Sequence, residues 1–147
     1  MNYKISLVPY GEVGYTVPSL LKYFHISEGW TKGRATVDDI LRFVLTGQMQ
    51  LWVVFDSEDR SVHGYVMTEI KQYPQKKMFV IQYCAMDPNE MQFVEGDMHQ
   101  MADKFAQDMG CAGIEFFGRP GWAPHVKKYG YTTKTVVFEK HFDEVQS

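Results

Sequence analysis

Apolar and polar positions recur along this chain at two periods, and the switches between them mark its elements. Tyr3, Ile5 and Leu7 share one side of an alternating run, which predicts a first strand over residues 3–8, ended by Pro9 and the Gly11–Gly14 loop. Thr16-Val-Pro-Ser predicts a helix start: a hydroxyl for the cap, proline in the first turn, then Leu20, Leu21 and Phe24 on one stripe. Gly29 is expected to stop that helix, leaving Trp30 to Ala35 as a basic loop with Lys32 and Arg34. Thr36 and Asp39 stand at the spacing of a capping box. Behind them Val37, Ile40, Leu41, Val44 and Leu45 follow at helical intervals, and Gly47 closes the run.

The near-continuous apolar run Gln50 to Phe55 suits a strand covered on both faces. Charged residues 56–61 then turn the chain into a second strand, Val62 to Ile70, and polar residues 72–77 into a third, Met78 to Ala85. The three form an antiparallel meander, ended at Asp87-Pro88. From Met91 to Gly110 the period changes. Val94, Met98, Met101, Phe105 and Met109, with Ala102 and Ala106, trace the stripe of one long helix stopped by Gly110.

Cys111 to Tyr131 carries a compact unit: a short strand with Ile114, Phe116 and Phe117, a Gly-Arg-Pro-Gly turn, a helix from Pro120, and the Gly130 exit. Lys134 to Phe142 is expected to be a last strand. The order is strand, two helices, three-strand meander, long helix, strand, short helix, strand. It predicts one α/β domain of the α+β kind over residues 1–147.

Composition narrows the function classes. A net charge of −3 without a basic run speaks against nucleic acid, and no apolar run approaches the roughly 20 residues that span a bilayer. No secretory segment is expected. The two cysteines, Cys84 and Cys111, sit in apolar context and read as reduced thiols of a cytoplasmic protein. The five histidines are scattered, without ligand spacing to one another or to the cysteines, so no metal centre is expected. His99 is expected on the solvated side of the long helix.

This order of elements resembles the GNAT (N-acetyltransferase) fold over essentially the whole chain. Leu51 to Ile70 is similar to the family's second and third strands, Asp108-Met-Gly-Cys111 with Ile114-Glu115 to its step from third helix into fifth strand, and Val126-Lys-Lys-Tyr-Gly-Tyr131 to its closing helix and exit. The wording GRPGW with QLWVVF resembles the divergent GNAT-like proteins encoded by tailed phages. The resemblance implies a mixed, mostly antiparallel sheet of 6–7 strands flanked by about four helices. It also implies transfer of an acetyl group from acetyl-CoA to an amine acceptor.

In that family the fourth and fifth strands splay, pantetheine pairs with the fourth, and pyrophosphate rests on the amides at the start of the third helix. On this chain the strand stretch is Tyr83, Cys84 and Ala85. The loop counted from Pro88 places Met91 where the family carries a basic or amide residue, and Gln92 and Val94 at two glycine positions; only Gly96 is kept. Glu95 and Asp97 add negative charge there, repelling an anion at about 4 Å by roughly 1–4 kcal/mol. For a general base the candidates are Glu115 and Glu69, each pointing either into a cleft or to solvent. Val126 stands where the family often has the tyrosine that protonates the leaving thiolate; Tyr129 and Tyr131 are the nearby substitutes, or else core aromatics. Two readings stay open: an acyl-CoA-dependent N-acyltransferase, or a GNAT-fold module without catalysis that binds a protein, in a phage particle or on a host. A third is a peptide or small-ligand binder that uses the gap between strands.

Overall fold

The computed structural model describes residues 2–118 and 120–142, with the backbone alone at Pro120. The chain forms two compact units, Met1–Phe117 and Gly118–Ser147.

The first unit is built on one sheet. Strands β1 (Tyr3–Leu7), β2 (Gln50–Asp56), β3 (Val62–Gln72), β4 (Lys77–Met86) and β5 (Gly113–Phe116) lie side by side in that order. The first three neighbour pairs are antiparallel and β4–β5 is parallel. Hairpins can join antiparallel neighbours, whereas the parallel pair needs a crossover. Glu95–Asp108, the long helix, provides it.

Alternation along β3 sorts the core. Tyr65 and Met67 face Leu20, Tyr23, Phe24, Ile40 and Val44 of the preceding helices, while Val66 faces the opposite side with Phe79, Met98, Ala102 and Ala106. Three layers result, helices on both faces of the sheet, which explains why β2 is apolar almost throughout.

The helices α1 (Val13–Thr16), α2 (Leu21–Trp30) and α3 (Val37–Leu45) fill one face. The expected Thr16 cap is corrected. Thr16 is itself helical, and its hydroxyl donates back to the Glu12 carbonyl at 3.0 Å. Pro18 lies in a 3-10 turn, Val17–Leu20, between α1 and α2. Gly29 lies inside α2, because the left-handed residues that turn the chain come later, at Lys32 (φ 54) and Gly33 (φ 83).

At α3 the capping box forms as expected. The Asp39 N–H donates to the Thr36 hydroxyl at 3.3 Å, and the Thr36 N–H donates to Asp39 Oδ2 at 3.0 Å. The Thr36 N–H and hydroxyl hold the Asp39 carboxyl below its ordinary value. Its contribution is therefore present above about pH 4 and lost as pH falls through the folded value. Thr36→Ala is expected to cost about 1 kcal/mol at neutral pH. Urea titrations should show that cost shrinking towards pH 3; a cost independent of pH would show that the carboxylate takes no part.

The single helix expected over 91–110 is divided. A 3-10 turn, Met91–Phe93, ends at Val94 (φ −128), and α4 (Glu95–Asp108) follows. Gly110 (φ +73) ends the segment as expected. His99 is buried rather than solvated. The stripe is wider than the apolar residues alone indicate, and His99 stands beside Met98 and Ala102 under it.

In the second unit a 3-10 turn, Pro120–Trp122, precedes α5 (Ala123–Lys127), and Gly130 (φ +93) makes the exit. The expected strand over 134–142 does not form; the described residues 131–142 carry no ladder. Val136, Val137, Phe138 and Phe142 are exposed there. A β pattern becomes a strand only with a neighbour to complete its hydrogen bonds. The sheet among the described residues thus has five strands rather than 6–7. No helix among them is long and apolar enough to cross a membrane.

Candidate functional site

The register of the sheet places two carboxylates on one face. Glu69 of β3 pairs with Val80 of β4, and Val80 pairs with Glu115 of β5. Residues directly opposite one another share a face. Glu69 follows Met67 by two positions, so this is the face covered by α2 and α3.

Two local features aim these side chains. On β4, Tyr83 pairs with Met67 and Ile81 with Thr68, leaving Gln82 as the extra residue of a bulge. Bulges re-aim side chains; here the Gln82 amide donates to Glu69 Oε1 at 2.5 Å. At the β3–β4 turn, the Tyr73 N–H donates to the Lys76 carbonyl at 2.8 Å and Pro74 fixes the bend between them. The turn brings the Tyr73 hydroxyl onto Glu115 Oε1.

The bond to Glu115 raises the Tyr73 pKa first, followed by burial and the charges of Glu115 and Glu69. Tyr83 is also raised, by burial and then by the charges of Asp39 and Glu69. Its ring stacks on Phe43 at 6.5 Å. The charge of Glu69 thus acts on both phenols, and Glu115 is bonded to one of them. A carboxylate has about four acceptor sites, so each retains capacity to take a proton or hold an ammonium.

The parallel pairing of β4 with β5 covers only Met78 to Ile81 and ends at Phe116. Beyond it, Tyr83 to Met86 pair with β3 on one edge and no longer with β5. Of the expected cofactor residues here, Cys84 packs among the α4-side core and burial pushes its thiol up to about 12. Ala85 is in the core of the other face. Their main chain, rather than their side chains, is what this stretch can offer a ligand. Tyr129 and Tyr131 belong to the second unit, half-buried, with the Lys128 ammonium 5.2 Å from the Tyr129 ring.

At the start of α4 the fit to a diphosphate is poor. Gly96 adopts no positive φ and has room for a side chain, so nothing there demands glycine. Glu95 and Asp97 already occupy the first turn, where the helix dipole would otherwise favour an external anion.

A second constellation sets one histidine beside two carboxylates. His63 Nδ1 stands 3.0 Å from Asp87 Oδ2 and 3.1 Å from Glu90 Oε2. The three are separated by 24 and 27 positions, so no local spacing reveals them. The β3–β4 register does, because Gly64 opposes Met86 and the Asp87 N–H donates to the His63 carbonyl at 2.9 Å. Tyr73 and Gln82 were likewise invisible as site residues until the turn and the bulge placed them.

The sequence matches no family model and no curated protein. Solved structures do match. Glucosamine-6-phosphate N-acetyltransferase from Arabidopsis thaliana is 14% identical, with a TM-score of 0.68 over 97% of this chain and 100% of that one. A GNAT family acetyltransferase of Staphylococcus aureus is 11% identical, with a TM-score of 0.66 over 97% and 100%. A predicted acetyltransferase with acetyl-CoA from Clostridium acetobutylicum is 14% identical, with a TM-score of 0.67 over 95% and 96%. At these identities the likeness shows the fold, which is the mixed α+β fold of GNAT acetyltransferases.

Proposed function

We propose that this chain is a GNAT-type N-acyltransferase that uses acetyl-CoA and an amine acceptor. The observation that carries the proposal is the end of β4–β5 pairing at Ile81, beside Glu69 and Glu115. An open strand edge can pair with the amides of a pantetheine arm as it would with another strand. The structure matched with acetyl-CoA has the same fold, which supports this choice of acyl donor. A thioester supplies an activated carbonyl; this chain's part is to hold the amine and take its proton.

Glu69 is assigned the proton. It sits where the strands part, it is oriented by Gln82, and a base must reach the amine directly or through one water. Glu115, tied to Tyr73, is assigned the ammonium before deprotonation. The two carboxylates and the Tyr83 and Phe43 rings make a surface suited to a cation.

One observation favours a second reading. The acidic first turn of α4 and Val94 oppose a diphosphate, which is what a GNAT-fold module binding a protein, of a phage particle or of a host, would tolerate. Thermal denaturation with acetyl-CoA separates the two. Acetyl-CoA at 100 times its dissociation constant should stabilise the fold by about 2.7 kcal/mol, seen as a rise of several degrees in Tm. An unchanged Tm at millimolar acetyl-CoA would remove the acyltransferase and leave the module.

A further inference from the structure

We propose that His63, Asp87 and Glu90 form a binding site for one divalent transition-metal ion, with Zn²⁺ or Co²⁺ as suitable occupants. The site is separate from the acyl-transfer reading and does not depend on it.

The argument begins with protons. Ser61 Oγ lies 2.6 Å from Asp59 Oδ1 and 2.7 Å from His63 Nε2. A hydroxyl has one proton to give. Hydrogen bonds from the Ser61 hydroxyl and N–H hold the Asp59 carboxyl below its ordinary value, so it is an ionised acceptor and takes that proton. The Ser61 oxygen must then accept from His63, which places a hydrogen on Nε2. Nδ1 is left facing two carboxylate oxygens at 3.0 and 3.1 Å, an arrangement that requires a positive centre among the three atoms.

A proton on Nδ1 can supply that centre as one bond shared between the two carboxylates. A metal ion satisfies all three. Nitrogen and oxygen ligands bound tetrahedrally at about 2.0–2.2 Å stand roughly 3.3–3.6 Å apart, so the 3.0 and 3.1 Å spacing would open by a few tenths of an ångström to take an ion. The potential ligand atoms all lie within 4.8 Å of one another. One imidazole with two carboxylates is a borderline donor set suited to Zn²⁺, Co²⁺ or Mn²⁺.

Each ligand is also held from behind, as metal ligands usually are. His63 is oriented by Ser61 and Asp59. The outer oxygen of Asp87 accepts from the Tyr23 hydroxyl at 2.7 Å and has the Lys22 ammonium at 3.7 Å, leaving Oδ2 directed inward. Glu90 is hydrogen-bonded by the Tyr3 hydroxyl, which also stands 3.4 Å from His63 Nδ1. Asn89, at φ 65, turns the chain so that Glu90 comes back beside Asp87. The side chains are 19–28% exposed, which lets an ion reach them from solvent. Besides His63, the Lys22 ammonium lies in ion-pair range of Asp87. A metal ion bound there would fasten the segment entering α4 to β3.

The test uses the full chain stripped with a chelator. Co²⁺ titration followed by visible absorption, and Zn²⁺ titration followed by calorimetry, should each give one equivalent. Glu90→Gln, which keeps an acceptor for Tyr3, should weaken binding at least 100-fold while circular dichroism stays native. Ser61→Ala should weaken it about 10–100-fold. His63→Asn should abolish it, and His25→Gln, on the exposed face of α2, should change nothing. Absence of one-equivalent binding in the micromolar range would overturn the proposal. So would binding that survives both His63→Asn and Glu90→Gln, since the ion would then be held adventitiously elsewhere.

Discussion

Replacing Gly64 with alanine should destabilise this protein by about 3 kcal/mol, at the top of the usual range for overpacking. Gly64 lies in β3 between two strands, opposite Val54 on one side and Met86 on the other. A methyl group there would stand 2.5 Å from the Ala85 carbonyl oxygen, 2.7 Å from Met86 Cγ and 2.9 Å from Met86 Cα. The methionine side chain can swing away, but the two β4 backbone atoms cannot without pulling the strands apart. The gain of roughly 0.4–1 kcal/mol from stiffening the unfolded chain is smaller than that clash. In a chain of this size the expected fall in Tm is roughly 6–12 °C. Because Gly64 adjoins His63 and opposes the residue before Asp87, the variant should also lose affinity for the proposed metal ion. Urea unfolding measures the first effect. A variant as stable as its parent would mean that β3 and β4 lie farther apart than described.

Glu69→Gln should lower kcat for acetyl transfer by about 10²- to 10⁴-fold, the usual value of a positioned base. The change is nearly isosteric, and the Gln82 amide retains an oxygen to donate to, so the fold should be undisturbed. Glu115→Gln should act differently. With the ammonium-holding charge removed, KM for the amine should rise about 10-fold or more while kcat falls little. Steady-state kinetics with a polyamine as acceptor, on variants whose Tm matches the parent, separates the two roles. Loss of kcat on Glu115→Gln with Glu69→Gln unaffected would exchange the assignments. Full activity in both would remove the carboxylates from the chemistry while leaving acetyl-CoA binding to be judged by its own thermal shift.

Other positions show where local information was sufficient. Thr36 and Asp39 cap α3 because the two partners are three residues apart on a turn that forms itself. The meander follows from alternation and from short polar turns. Thr16 failed as a cap because the same hydroxyl can donate backwards to Glu12 once the preceding turn is helical. The strand expected over 134–142 failed for another reason. Val136, Val137 and Phe138 satisfy β propensity, but propensity describes fit to a neighbour rather than an independent preference.

The site divides along the same line. Glu69 and Glu115 could be named from the chain as carboxylates on strands. Their shared face depends on the pairing of both with Val80, and their orientation on the Gln82 bulge and the Tyr73 turn. His63, Asp87 and Glu90 could not be grouped at all without the β3–β4 register.

By itself, then, the amino-acid order of this protein determined α3 with its capping box, the meander, the stops at Gly47 and Gly110, and the absence of a long apolar span. Those features arise from interactions within a few residues, where spacing and side-chain shape are enough. Only the tertiary structure decided which carboxylates meet, where β4 loses its second neighbour, and that one histidine faces two acids. Such groupings depend on strand register, in which a shift of one residue turns every side chain to the opposite face.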